Sequence, residues 1–175
     1  MLVPHNPNEI VAVVDEKDKV IGYATRREVH DKGLLHREVA LVIINSKEEC
    51  LVQKRKDNNK WSFSCGGHFP KNQSYIEAVV REAKEEIGLS VQKKELVEVA
   101  YFRHSSSPGK NVFNDRFVKV FLLKKDILLS KIFIDKEEVS EVRYFTKKEL
   151  EECANSKEKV LSSAFTRFVK EYLLL

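Results

Sequence analysis

Apolar positions recur along the chain in two periods. Ile10–Val14 and Val20–Thr25 are apolar-rich and enclose the polar run DEKDK at 15–19, which predicts a strand, a turn and a second strand. Residues 26–37 read as a connector carrying His30, Gly33 and His36. Residues 39–45 are β-branched and apolar, the pattern of a buried strand, and Cys50–Arg55 reads as its return strand after the turn SKEE. Residues 61–71 predict a loop around the pair Gly66-Gly67. Further strands are expected at 95–103, 117–123 and 141–145, with the SSSPG segment at 105–109 in a loop between the first two.

The period changes to that of a helix after Ser74. Ser74 and Glu77 have the spacing of a capping box, Ile76, Val79, Val80, Ala83 and Ile87 form one apolar stripe, and Gly88 stands where a left-handed cap is wanted. Thr146 with Glu149 opens another helix by the same pattern, and residues 158–173 predict a final one. Strands, hairpins and helices in this mixture imply an α/β protein: a central mixed sheet with helices on its faces.

The helix at 74–87 carries a contradiction. Glu82, Glu85 and Glu86 lie within one turn, where like charges repel, and in the last turn, where the helix dipole disfavours anions. A bound divalent cation resolves both conflicts, and carboxylates suit Mg²⁺ or Mn²⁺. Arg81 has the spacing to pair with Glu85 or Glu77, and the glycine pair lets backbone approach a ligand. Arg55, at the end of a strand beside that loop, is placed to bind phosphate, as is His68 to touch ligand or metal.

Composition narrows the class. The chain has 175 residues, 42% hydrophobic and 33% charged, which favours one ordered domain over 1–175: an extension and connector at 1–35, a core at 36–155 and a terminal helix at 156–175. Net charge is +4, with scattered lysine pairs and no basic motif of a nucleic-acid polymer binder. Three cysteines in no paired spacing argue against a disulfide framework or thiolate zinc site. The absence of a long apolar run or secretory pattern leads to the expectation of a cytoplasmic protein without membrane contact. A homodimer is plausible.

Residues 67–89, GHFPKNQSYIEAVVREAKEEIGL, resemble the Nudix box G-x5-E-x7-R-E-U-x-E-E-x-G-U. The matching positions are Gly67, Arg81, Glu82, Glu85, Glu86, Gly88 and Leu89; Gln73 stands where the box has Glu, and Ala83 fills a U position. The segment EVSEVRYFTKKEL at 138–150 is similar to the late strand-to-helix segment of the family. The resemblance implies a Nudix α/β/α sandwich, with the first two strands as an N-terminal hairpin extension. It implies hydrolysis of a small-molecule diphosphate, a nucleoside diphosphate derivative or another organic diphosphate. Glu82, Glu85, Glu86 and the Gly66 carbonyl would be metal ligands, Glu85, Glu86 and Arg81 catalytic, and Arg55, Gly67 and His68 substrate contacts. The family also places a general base in the loop of Glu137 and Glu138, which as a bare pair read as surface.

Residues 13–43 are also similar to the lead-in of the isopentenyl diphosphate isomerase-like Nudix branch, with His30, Gly33, Leu34, His36 and Arg37 in its pattern. That branch places a metal among such histidines and later acids, here His30, His36, His68 and Asp115. Its cysteine directly precedes the G-H pair, whereas Gly66 stands there and Cys65 is one residue early; Phe113 replaces the first later acid. A pyrophosphohydrolase is therefore preferred, with isomerisation or diphosphate binding without turnover as alternatives.

Overall fold

The computed structural model describes residues 6–109 and 112–173. Strands β1 (Ile10–Val14) and β2 (Val20–Thr25) form a separate antiparallel hairpin. A seven-stranded mixed sheet follows, built from β3 (His36–Ile44), β4 (Cys50–Arg55), β5 (Trp61–Ser62), β6 (Cys65–Gly67), β7 (Leu96–Gly109), β8 (Val112–Lys124) and β9 (Val139–Phe145). Its main order is β5-β4-β3-β8-β7, with β6 against β3 and β9 against β4. The helices are α1 (Arg26–Lys32), α2 (Tyr75–Ile87), α3 (Lys147–Asn155) and α4 (Ser163–Phe168).

β3 shows why the architecture has three layers. Val39, Leu41 and Ile43 point to one side, where they pack with Ala78, Val79, Ala83 and Ile87 of α2. Ala40 and Val42 point to the other, toward Leu150 and Ala154 of α3 and Phe165 of α4. A strand buried on both faces has no polar alternation, which explains its unbroken apolar run. Its parallel partner β8 runs beside it from His36↔Arg116 to Ile44↔Lys124. These are the central mixed sheet, flanking helices and N-terminal hairpin anticipated above.

Four local expectations need correction. The connector at 26–37 holds α1, opened by a capping box from Thr25 and Glu28 and closed by Gly33 at φ 64°. That TRRE spacing is visible in the sequence, but one buried residue, Val29, gives the helix almost no apolar stripe. The segment at 105–109 is not a loop: β7 continues to Gly109, because its backbone pairs with β8 regardless of weak serine propensity. The loop at 61–71 contains β5 and β6. The final helix starts later than 158, because Lys159 takes a left-handed φ of 50° and Leu161 bridges to Trp61.

Gly66 sits at a close approach within the sheet. Its φ is +151°, and a Cβ there would lie 2.3 Å from the Val39 carbonyl oxygen. Only glycine permits this approach of β6 to β3.

Phe165 is fully buried against Phe63, at 4.9 Å between ring centroids, and anchors α4 to the sheet. Phe165→Ala is expected to lower unfolding free energy by about 3–5 kcal/mol. Urea titration of both proteins measures this, and a loss below about 1 kcal/mol would contradict the packing described.

Candidate active site

The C-terminal half of α2 presents Glu82 and Glu86 on its buried side, at 7% and 3% exposure, while Glu85 is exposed. The helical spacing explains the split: Glu82 and Glu86, four residues apart, flank the apolar stripe, and Glu85 points out at the cleft mouth. The Glu82 and Glu86 carboxyls lie within hydrogen-bonding reach of each other. Burial raises both above the ordinary carboxylate range, with mutual repulsion adding to Glu86 and Glu85 to Glu82.

Arg81 offsets this charge and organises the site. Its guanidinium donates to Glu82 at 2.7 Å, to Glu85, to the His68 carbonyl at 3.3 Å and to Gln73 Oε1 at 3.1 Å. The departure from the box is thus accommodated, since a glutamine oxygen accepts from Arg Nε as a carboxylate does, without its charge. Gly67 brings the backbone close enough that a Cβ would lie 3.4 Å from Glu82 Oε1.

Gln53 has a place in the site that the sequence reading did not assign. Its Nε2 donates to Glu86 Oε2 at 2.6 Å, and its buried Oε1 has no partner among the described residues. The available signal was a polar residue inside an apolar strand, CLVQKR. The end of α2 is closed by the loop after β8, where Phe133 N–H donates to Ile87 O and Asp135 N–H to Glu86 O at 2.9 Å. This brings Asp135 and Glu138 into the cleft, so the Glu137–Glu138 pair is not merely surface: Glu138 faces the carboxylates.

One cleft of about 790 Å³ gathers Glu82, Glu85, Glu86, Arg81, Gly66, Gly67, His68, Arg55 and His30. Arg55 is held by its own loop, with two hydrogen bonds to Asp57 at 3.0 and 2.7 Å. The buried carboxylate pair suits a hard divalent cation: two hard oxygen ligands with surplus negative charge stand beside the Gly66 backbone, and an unpartnered amide oxygen lies next to Glu86.

A second cluster adjoins it. His30, His36 and His68 bring one ring nitrogen each within 4.8 Å of one another. His30 Nδ1 donates to Phe113 O at 2.9 Å and His36 Nδ1 to Leu34 O at 2.8 Å, so their Nε2 atoms carry the lone pairs. His36 Nε2 lies 2.8 Å from His68 Nε2. Burial lowers all three pKa values, that of His36 to about 4, which keeps the rings neutral and able to ligate a metal. Asp115 is not among them: its carboxylate is occupied by Arg103, at 3.0 and 2.7 Å. The neighbouring charges are the half-buried Glu38 and the buried Arg116, paired at 2.8 Å across β3 and β8. Their pairing depends on the parallel register, which the sequence does not reveal.

A carboxyl raised in the folded state keeps a proton that the unfolded chain has released. Its contribution to stability is complete below about pH 4.5 and is lost as pH rises through the raised value. The three histidines, held below their ordinary value, act in the opposite sense but are common to the wild type and Glu86→Gln, so in chelator the unfolding free energy of the wild type relative to Glu86→Gln is expected to fall from pH 5 to pH 8, with Mg²⁺ reversing that fall. Urea titrations of both proteins across that range test this; a difference that stays constant or grows toward pH 8 contradicts it.

The chain is similar to known proteins in family and fold. The family model of the NUDIX domain matches residues 34–165. A Nudix hydrolase of Listeria monocytogenes, described as uncharacterized, is 31% identical over 131 residues, covering 72% of each chain. Human isopentenyl-diphosphate delta-isomerase 2 is 28% identical over 164 residues, 81% of this chain and 71% of that protein. The crystal structure of DR0079 from Deinococcus radiodurans shares the fold, with a TM-score of 0.73 and 21% identity over 94% of this chain and 99% of that one. With most of its length matched by the family model, the chain belongs to the Nudix family.

Proposed function

We propose that the protein is a metal-dependent hydrolase that cleaves the diphosphate linkage of a nucleoside diphosphate derivative or another organic diphosphate. The observation that carries this reading is the buried Glu82–Glu86 pair, braced by Arg81 and Gln53 beside the Gly66-Gly67 backbone. Glu82, Glu86 and the Gly66 carbonyl would hold Mg²⁺ or Mn²⁺, with Glu85 as a further ligand. Such an ion neutralises phosphate charge and makes water more acidic. Arg81 keeps the carboxylates aimed by binding two of them and the loop that precedes the helix. Glu85, exposed and oriented by Arg81, would accept the proton of an attacking water. His68, Gly67 and Arg55 line the space for the phosphates.

The histidine trio favours a second reading, isomerisation of an alkenyl diphosphate, in which His30, His36 and His68 hold a second metal and Asp115 would add no ligand. Against it, Cys65 is fully buried, packs with Phe69 and Ala83 under α2, and is absent from the described cleft lining. Burial also raises its thiol pKa well above normal. A thiol placed there has no access to a substrate carbon.

The deciding experiment follows products from nucleoside triphosphates, ADP-ribose, dinucleotides, coenzyme A and isopentenyl diphosphate, with Mg²⁺, Mn²⁺ or chelator. Metal-dependent phosphate products are expected, reduced at least about 100-fold by Glu86→Gln. Rearranged isopentenyl diphosphate without phosphate release would replace the hydrolase reading by the isomerase one, and binding without product would replace it by a binding role. Gln73→Glu is expected to change kcat/KM by less than about 10-fold, because the Arg81 contact already exists; a larger gain would show Gln73 to be a defect of the site.

A further inference from the structure

The cleft extends well beyond the carboxylates, and its far rim has its own chemistry. The turn after β4 and the segment before α4 are tied together there. Trp61 N–H donates to Val160 O at 3.0 Å, Ser162 N–H to Trp61 O at 2.8 Å, and the Ser62 and Ser162 hydroxyls meet at 2.9 Å. This joint places Lys60 and Lys159 on one rim, with the Asn58 amide and the Ser162 and Ser163 hydroxyls beside them. Among the described residues, neither ammonium has a hydrogen-bond or ion-pair partner, unlike Arg55, Arg81 and Arg116, whose charges are matched by Asp57, Glu82 and Glu38. Lys159 occupies a left-handed turn at φ 50°, a position cheaper for glycine or asparagine.

The walls lack what two common leaving groups require. Phe63 is the one hydrocarbon aromatic among the described lining residues; it is 5% exposed and closed in by Phe165 and Phe168. Trp61, its neighbour, turns to Phe145 at 5.1 Å and lies outside the described lining. Among the described residues, no open phenyl, phenol or indole face is therefore offered to a nucleobase. The other apolar side chains lining the cleft are Val112 and Ala164, too little surface to bury a prenyl chain.

We propose that the group carried beyond the cleaved diphosphate is a phosphorylated sugar or polyol, its extra phosphate bound between Lys60 and Lys159 and its hydroxyls by Asn58, Ser162 and Ser163. This rests on the hydrolase reading above and specifies its substrate. The two ends of the cleft divide the work: carboxylates that attract a cation at one, unmatched ammoniums that attract an anion at the other. Lysine suits the second task, as a point charge that binds a phosphate without fixed geometry.

The test compares 5-phosphoribosyl 1-diphosphate with its counterpart lacking the 5-phosphate, with ADP-ribose and with isopentenyl diphosphate, using Mg²⁺. The wild type is expected to favour the first by at least about 10-fold in kcat/KM over its counterpart, and Lys60→Glu/Lys159→Glu to reduce that ratio to within about 3-fold. A ratio near one in the wild type, a ratio unchanged in the double variant, or faster turnover of ADP-ribose or isopentenyl diphosphate overturns the proposal. Absence of turnover for every compound overturns the hydrolase reading instead. The rim is then read alone by calorimetry with ribose 5-phosphate: binding weakened at least about 10-fold in the double variant upholds it, and no binding to the wild type overturns it.

Discussion

The site depends on one guanidinium. Arg81 projects from the middle of α2 and touches the loop before the helix through the His68 carbonyl, the turn at Gln73, and two carboxylates on its own helix. Without it, Glu82 and Glu86 would be two buried carboxyls with the Gln53 amide and the more distant charge of Arg55 for compensation. Buried charge is tolerated only when paired and hydrogen-bonded. The planar fork of arginine satisfies several acceptors at once, which a lysine ammonium cannot do in the same geometry. The loop and the helix are thus joined where the chemistry is concentrated.

The scaffold was legible because its signals are local or periodic. The capping boxes at Ser74 and Thr146, the stripe on α2 and the doubly buried run in β3 each follow from spacing alone. α1 escaped because seven residues with one buried side chain carry no periodicity, although its cap was written in the sequence. The serine-rich end of β7 escaped because pairing with β8 outweighed propensity.

For the site, the residues of the α2 motif were legible, since one helix places them. Gln53 and the Glu38–Arg116 pair were not, since they meet the motif only through strand register. Glu138 reads as surface from the bare acidic pair, because only the loop that caps α2 brings it to the cleft. Asp115 was grouped with the histidines by analogy, and Arg103, its neighbour across the β7–β8 ladder, has taken it instead.

The parallel pairing of β3 with β8 has a consequence for the order of assembly. β3, β4 and α2 are complete by residue 87, yet the strand that lies beside β3 ends at residue 124. As the chain is synthesised from its N-terminus, the whole carboxylate motif precedes the partner strand that completes its platform. Until then β3 is an open, apolar edge, and Glu38 lacks the arginine that neutralises it. Contacts so distant in sequence form late, after the entropy of closing a long loop has been overcome. The nascent chain therefore displays its most hydrophobic strand before it has a site, and the interval between the two is its period of greatest exposure to aggregation.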